Sequence, residues 1–303
     1  MKARIMILSL VVSLQASAAG LVVEASNVVG ARELQAKIAA ARVSDAQTFA
    51  TVAQLSRDAD TLFAKRRGGV VAPMGRTFKQ LGPQALLPML ELLAFDAANV
   101  PATEGGRLTL TVGLLEAVGA LQSDVAAPVL EAVLANLTVS PLVTRAAADA
   151  YGFLQTDDAA SRLLVLSLPR TAHGRAVREG MGSCRRAVIA KRLGDAVMEA
   201  TEVREQVEAA RALGDVGNAW AWQTPGVTAK REEAEVRRTA AAALVRAFVA
   251  RTGDARQAAS NALLVVNANE THSLILAALV NANAEQKAAL TELQARLEQN
   301  PVR

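Results

Sequence analysis

Two stretches in the middle of the chain lie in register with each other. Ala117-Val-Gly-Ala-Leu-Gln-Ser-Asp-Val-Ala-Ala-Pro-Val-Leu130 returns 33 residues later as Ala150-Tyr-Gly-Phe-Leu-Gln-Thr-Asp-Asp-Ala-Ala-Ser-Arg-Leu163, with eight of 14 positions identical. A period in the thirties is the mark of stacked helical hairpins, each of which exposes apolar flanks that only a neighbouring hairpin can cover. The register continues beyond the pair: Gly182 and Cys184 fall 30 residues after Gly152 and Leu154, Gly214 and Val216 a further 32 on, and Phe248 another 32 after Val216. The pattern predicts an all-α fold, an α-solenoid of antiparallel hairpins.

Apolar spacing fills in the units. Residues 108–121 with 125–137 form one hairpin and 142–154 with 159–168 the next, with Asp124 and Asp157 placed to cap the second helices. Residues 30–67 read as two helices split at Ser44, where Ser44-Asp-Ala-Gln47 fits a capping box, and 99–106 as a loop. Residues 271–282 and 284–299 are the last helices, the final one carrying the polar face expected of a cap. The expected domains are a helical segment over 19–75 that packs on the solenoid, repeats over 76–282, and a capping helix and tail over 283–303.

Val236-Arg237 with the alanine run to Leu244, Ala212-Leu213-Gly214-Asp215, the turn aspartates and the opening near Pro128 resemble HEAT repeats. The resemblance covers about residues 80–280 and implies a HEAT/armadillo-like superhelix. It also implies a surface of the kind that binds peptides, proteins or, in some branches, nucleic acids. Fold alone does not settle which.

The N-terminus adds a location. Lys2 and Arg4 precede the apolar run Ile5–Leu14, and Ala16-Ser17-Ala18 offers a cleavage site, so residues 1–18 read as a signal peptide. The protein is therefore expected outside the cytoplasm, periplasmic or extracellular, with no transmembrane anchor in the mature chain. Its single cysteine excludes a scaffold held by internal disulfides. Removing the signal takes Lys2 and Arg4 from a net charge of +4, leaving +2. With aromatics at 3%, nucleic acid is a poor fit as partner.

Few residues suggest chemistry. Cys184 with His173 is the one nucleophile–base pair, and Arg185 and Arg186 could supply a positive field; yet Cys184 occupies the apolar register of Leu154 and Val216, which reads as a buried thiol. His173 and His272 lack carboxylates in ligand spacing, so no metal is expected, and no motif calls for a cofactor. Residues 162–192 hold eight basic side chains against Glu179, and 195–215 hold six acids against Arg204 and Arg211. Pairing between the two blocks across neighbouring hairpins explains them better than a basic docking patch.

Both tryptophans lie in Ala219-Trp-Ala-Trp-Gln-Thr-Pro-Gly226, and in a helix residues two apart do not share a face. They serve either to seal a gap between units or to anchor a partner. The candidate partner-binding residues are thus Trp220, Trp222, Arg185 and Arg186. The expected function is a non-enzymatic scaffold that binds a protein or peptide along a concave face. The alternative is a HEAT-like enzyme or cofactor-handling accessory of lyase type, with its pocket near Cys184.

Overall fold

The computed structural model describes residues 19–96, 98 and 100–300. Among these residues the protein is helical without a β-strand, and no helix is long and apolar enough to cross a membrane. The signal peptide expected over 1–18 lies outside the described residues.

Five hairpins form the stack: α5 (Glu104–Leu121) with α6 (Ala127–Ala135), α7 (Pro141–Gly152) with α8 (Asp157–Ser167), α9 (Ala172–Gly180) with α10 (Ala187–Glu199), α11 (Val203–Gly217) with α13 (Glu233–Ala250), and α14 (Gly253–Val266) with α15 (Thr271–Asn281). A four-residue helix, α12 (Ala219–Trp222), interrupts the fourth. Ahead of the stack come α1 (Ala31–Ser44), α2 (Ala46–Ala64), α3 (Gly75–Gln80) and α4 (Leu86–Ala94); α16 (Ala284–Glu298) follows it. The first helices α5, α7, α9, α11 and α14 pack side by side in one row, and α10, α13 and α15 line up in the other. This is the all-α solenoid architecture that the repeat predicts.

Local chemistry sets where the helices begin. Thr103, Ser140, Thr156 and Thr171 cap α5, α7, α8 and α9, each side chain accepting from the N–H three residues on. Leu114, Leu130, Leu163, Leu193, Leu213, Leu244 and Leu263 are fully buried between the rows. The repeat glycines set the spacing of the first row. A Cβ on Gly119 would lie 2.5 Å from the Ala150 Cα, and one on Gly152 2.8 Å from the Cys184 nitrogen. Only a residue without a side chain lets these backbones approach so closely.

The N-terminal segment is tied to the stack. The Leu21 N–H donates to the Leu92 carbonyl at 2.8 Å, and the Asn136 side chain donates to the Val22 carbonyl at 2.9 Å. α1 packs on α4, and α2 on α5. Asp60 of α2 accepts from Ala102 N–H at 2.8 Å, so the stretch read as a loop to residue 106 is already helix from Glu104.

Two capping assignments shift by a residue. Asp45, not Ser44, caps α2, accepting from Thr48 N–H at 3.3 Å. Thr156 caps α8, while Asp157 is its first residue and pairs with Arg186. In each case the residue with extended or irregular backbone at the break takes the cap, and its neighbour is already inside a helix.

Candidate functional site

The first-helix row turns a stripe of ionisable groups away from the core. Glu116, Asp149, Glu179 and Arg211 each stand three residues before a repeat glycine (Gly119, Gly152, Gly182 and Gly214), so α5, α7, α9 and α11 present them at one level. Asp215, one residue after Gly214, joins them. A groove of about 380 Å³ between α11 and α14, lined by Arg211, Asp215, Asp254 and Asn261, continues the stripe.

The centre of the stripe is a knot around Asp149. The Ser183 hydroxyl donates to its carboxylate. Burial pushes the Asp149 carboxyl up to about 6; the Ser183 bond opposes this, and the negative charge of Asp215 adds to it. Partial burial of the carboxyls also raises Glu116 and Asp215, although both are exposed residues. Arg185 is only 8% exposed; it donates to the Ser183 carbonyl at 3.3 Å and leaves its Nε unpartnered. Arg145 and Arg211 lie near enough to pull on these carboxyls. Among the described residues, Glu116, Asp149, Glu179 and Asp215 form no ion pair. A ligand that brings positive charge to this stripe would meet carboxyls that have arginines nearby but no direct ion pair.

The residues singled out in the sequence divide. Arg185 belongs to the stripe, but as a buried group and not as an outward cation. Arg186 does not: it bridges Glu232 at 2.7 Å and Asp157 and donates to the Gln155 carbonyl at 3.1 Å, so it stitches three hairpins together. Trp220 is 61% exposed, whereas Trp222 is 0% exposed with its indole N–H on the Val216 carbonyl at 3.0 Å. As partner anchors, Trp222 and Arg186 are therefore corrected: one fills the core and the other holds the stack.

Cys184 is buried in its register position, and burial pushes its thiol up to about 12, which removes the thiolate that a nucleophile needs. His173 sits on the first turn of α9 with its Nδ1 3.5 Å from the Thr144 hydroxyl, 11 residues from Cys184. The pocket expected near Cys184 is thus not built around the thiol. Among the described residues no group of three or more His, Cys, Asp and Glu side chains converges as metal ligands do. The opposite charge blocks do meet: Arg175 of α9 pairs with Glu205 of α11 at 2.7 Å.

The segment after Trp222 is a strap that the sequence reading missed. Gln122 and Gln155, equivalent residues of the repeat, both donate to the Gly226 carbonyl, at 3.1 and 3.3 Å. Gln155 also accepts from Thr228 N–H at 3.1 Å. The loop of the fourth unit thereby reaches back across the turns of the first two. The signal was the shared glutamine at a repeat end, where both residues take left-handed backbone, φ 52° and 55°.

No family model matches the chain, and no curated protein matches it. Among solved structures, human deoxyhypusine hydroxylase in complex with glycerol is similar over 82% of this chain and 98% of that one, at 16% identity and a TM-score of 0.32. That protein is by name a hydroxylase, an enzyme, which runs against the expectation that this chain is not one. A likeness this distant carries no activity over, and the helical-repeat fold rests on the hairpin stack itself.

Proposed function

We propose that the protein is an exported helical-repeat binder of polypeptides bearing basic side chains, which lie along the first-helix row. One observation carries the reading: a file of carboxyls along the first-helix row, Glu116 and Asp149 at one repeat register with Asp215 beside it, raised by burial and without a direct ion pair. Lysine and arginine side chains spaced along an extended chain could meet successive rungs, since stacked repeats present a long surface. The basic, apolar and small-residue regions of Met1–Gly20 support export. Trp220, exposed beside the fourth unit, is a candidate contact at the edge of the path.

The test is a titration of a labelled lysine–alanine peptide against the protein at low salt, with a glutamate–alanine peptide as control. The reading expects saturable binding of the basic peptide only, weakened about tenfold or more in Asp149→Asn/Asp215→Asn. Equal binding of both peptides, or no loss in the double variant, contradicts it.

A second reading has its own observation. Asp149 at about 6 and Glu179 at about 7 lie where a general acid or base works at neutral pH. On that reading the stripe is an acid–base site of a HEAT-like enzyme, with carboxyls in the role the sequence had offered to Cys184. A bell-shaped pH–rate profile lost in Asp149→Asn would separate it from simple binding.

A further inference from the structure

The third hairpin leaves a cleft that meets the stripe only at Glu179. α9 is only nine residues long, and between it, α10 and the start of α11 lies a cleft of about 130 Å³. That is room for a molecule of roughly five to eight non-hydrogen atoms, since an apolar cavity of about 150 Å³ holds benzene. Its walls are charged on two sides, from Arg175, Arg178 and Arg192 and from Glu179, Glu205 and Glu208.

Several of these charges are already committed. Arg175 pairs with Glu205 at 2.7 Å, and Arg204 with Glu208 at 2.7 Å. Arg178 donates through one nitrogen to the Ser167 and Pro169 carbonyls, at 2.5 and 3.1 Å. Arg192 is only 8% exposed, and its bonds are long: 3.3 Å to Glu199 and 3.4 Å to the Ser167 carbonyl.

Two polar atoms in the walls are left over. The Arg192 Nε is buried without a partner, and the Glu208 Oε2 is buried with no N–H donor, in a carboxyl that contacts Glu179. An unmatched buried guanidinium nitrogen, beside a carboxyl whose neighbour is a second carboxyl, is costly unless something occupies the cleft. One orphan donates and the other accepts, so a single ligand that satisfies both must carry an acceptor at one end and a donor at the other.

We propose that this cleft binds a small zwitterion of amino-acid size, its carboxylate taken by Arg192 and Arg178 and its ammonium by Glu208 and Glu179. The site goes beyond polypeptide binding on the stripe and shares only Glu179 with it. The state of the acids agrees with an awaited cation. Burial, then contact with Glu208, pushes Glu179 up to about 7, and that contact and Arg204 hold Glu208 low in spite of its burial. Two carboxyls in this state hold one proton between them at neutral pH. An arriving ammonium replaces that proton, so binding releases it. The charges that face the pair are Arg145 from α7, Arg175 and Arg178 from α9, and Arg204 from α11.

Calorimetry and thermal melting of the purified protein with glycine, L-alanine and β-alanine test the site. Acetate and methylammonium at equal ionic strength are the single-charge controls. The proposal expects saturable binding by at least one amino acid, a dose-dependent rise in Tm, and no response to either control at the same concentration. It expects binding heats at pH 7 that change with the ionisation heat of the buffer, because a proton leaves. Glu179→Gln and Arg192→Lys should each weaken binding about tenfold or more, whereas Asp149→Asn should leave it unchanged. Either variant suffices if the other fails to fold. No saturable response to any of the three, an equal response to acetate alone, or unchanged affinity in a folded Glu179→Gln would overturn the proposal.

Discussion

The second and third hairpins have the same place in the repeat and opposite contents. In the second, α7 runs 12 residues to Gly152 and spends its buried face on Val143, Ala147, Ala148, Ala150 and Tyr151. In the third, α9 stops after nine residues and a single 3₁₀ turn, Met181–Ser183, completes the path. Cys184 still fills the apolar register, but Ser183 and Arg185 enter the row beside it, both buried. Where the repeat is faithful, its residues stack. Where it falls short, polar groups are drawn into the interior: the Asp149 knot on one side and the charged cleft on the other. Departures from a local rule that cost stability are expected where a protein works.

That contrast can be broken by substitution. The largest effect belongs to the stacking class: Trp222→Ala should cost about 3–5 kcal/mol, because a fully buried indole and its bond to Val216 are lost. Denaturant melts decide it, and a loss under about 1 kcal/mol would mean that the segment does not seal the fourth unit. Gly119→Ala should cost about 1–3 kcal/mol, since the added methyl meets the Ala150 backbone. A neutral result would show that the first row has slack where the repeat is most regular.

The knot between the second and third units should show itself in pH. Folded Asp149 keeps its proton to about pH 6, whereas the unfolded chain loses it near 3.8. The folded state therefore holds more protons between those values, and stability falls as pH rises from about 4 to 6. Asp149→Asn should flatten that fall by about 1–3 kcal/mol, read from melts across the range. An unchanged slope would assign the pH dependence elsewhere. The smallest effect is Trp220→Ala, expected within about 0.5 kcal/mol of wild type because most of the ring is in solvent. A larger loss would move Trp220 into the stacking class with Trp222.

What the sequence showed follows from which residues the repeat constrains. Gly119, Gly152, Gly182 and Gly214 announce the stack because close backbone approach admits one residue type. Cys184 reads as a buried thiol for the same reason, by its register. Glu116, Asp149 and Glu179 were also in register, three residues before Gly119, Gly152 and Gly182, whereas Arg211 holds that place before Gly214. The file stayed hidden because an acid on a helix is ordinarily a solvated side chain, and only the packing of the next unit shows Asp149 half-buried with the Ser183 hydroxyl on its carboxylate. Arg186 misled in the opposite direction: its partners Asp157 and Glu232 are 29 and 46 residues away in the chain. Local spacing cannot find pairings of that range. The Gly226 strap is likewise a contact between units one and four, legible only once the turns are lined up.

The central claim is that burial raises carboxyls on the first-helix row, Asp149 to about 6, and leaves them without a direct ion pair, open to a cation from outside. Carbon-detected NMR titration of the side-chain carboxyls, with and without the lysine–alanine peptide, tests it directly. The account predicts that Asp149 titrates near 6 in the free protein and that its midpoint falls when the peptide is added. A midpoint in the ordinary aspartate range, or one unmoved by saturating peptide, would contradict it.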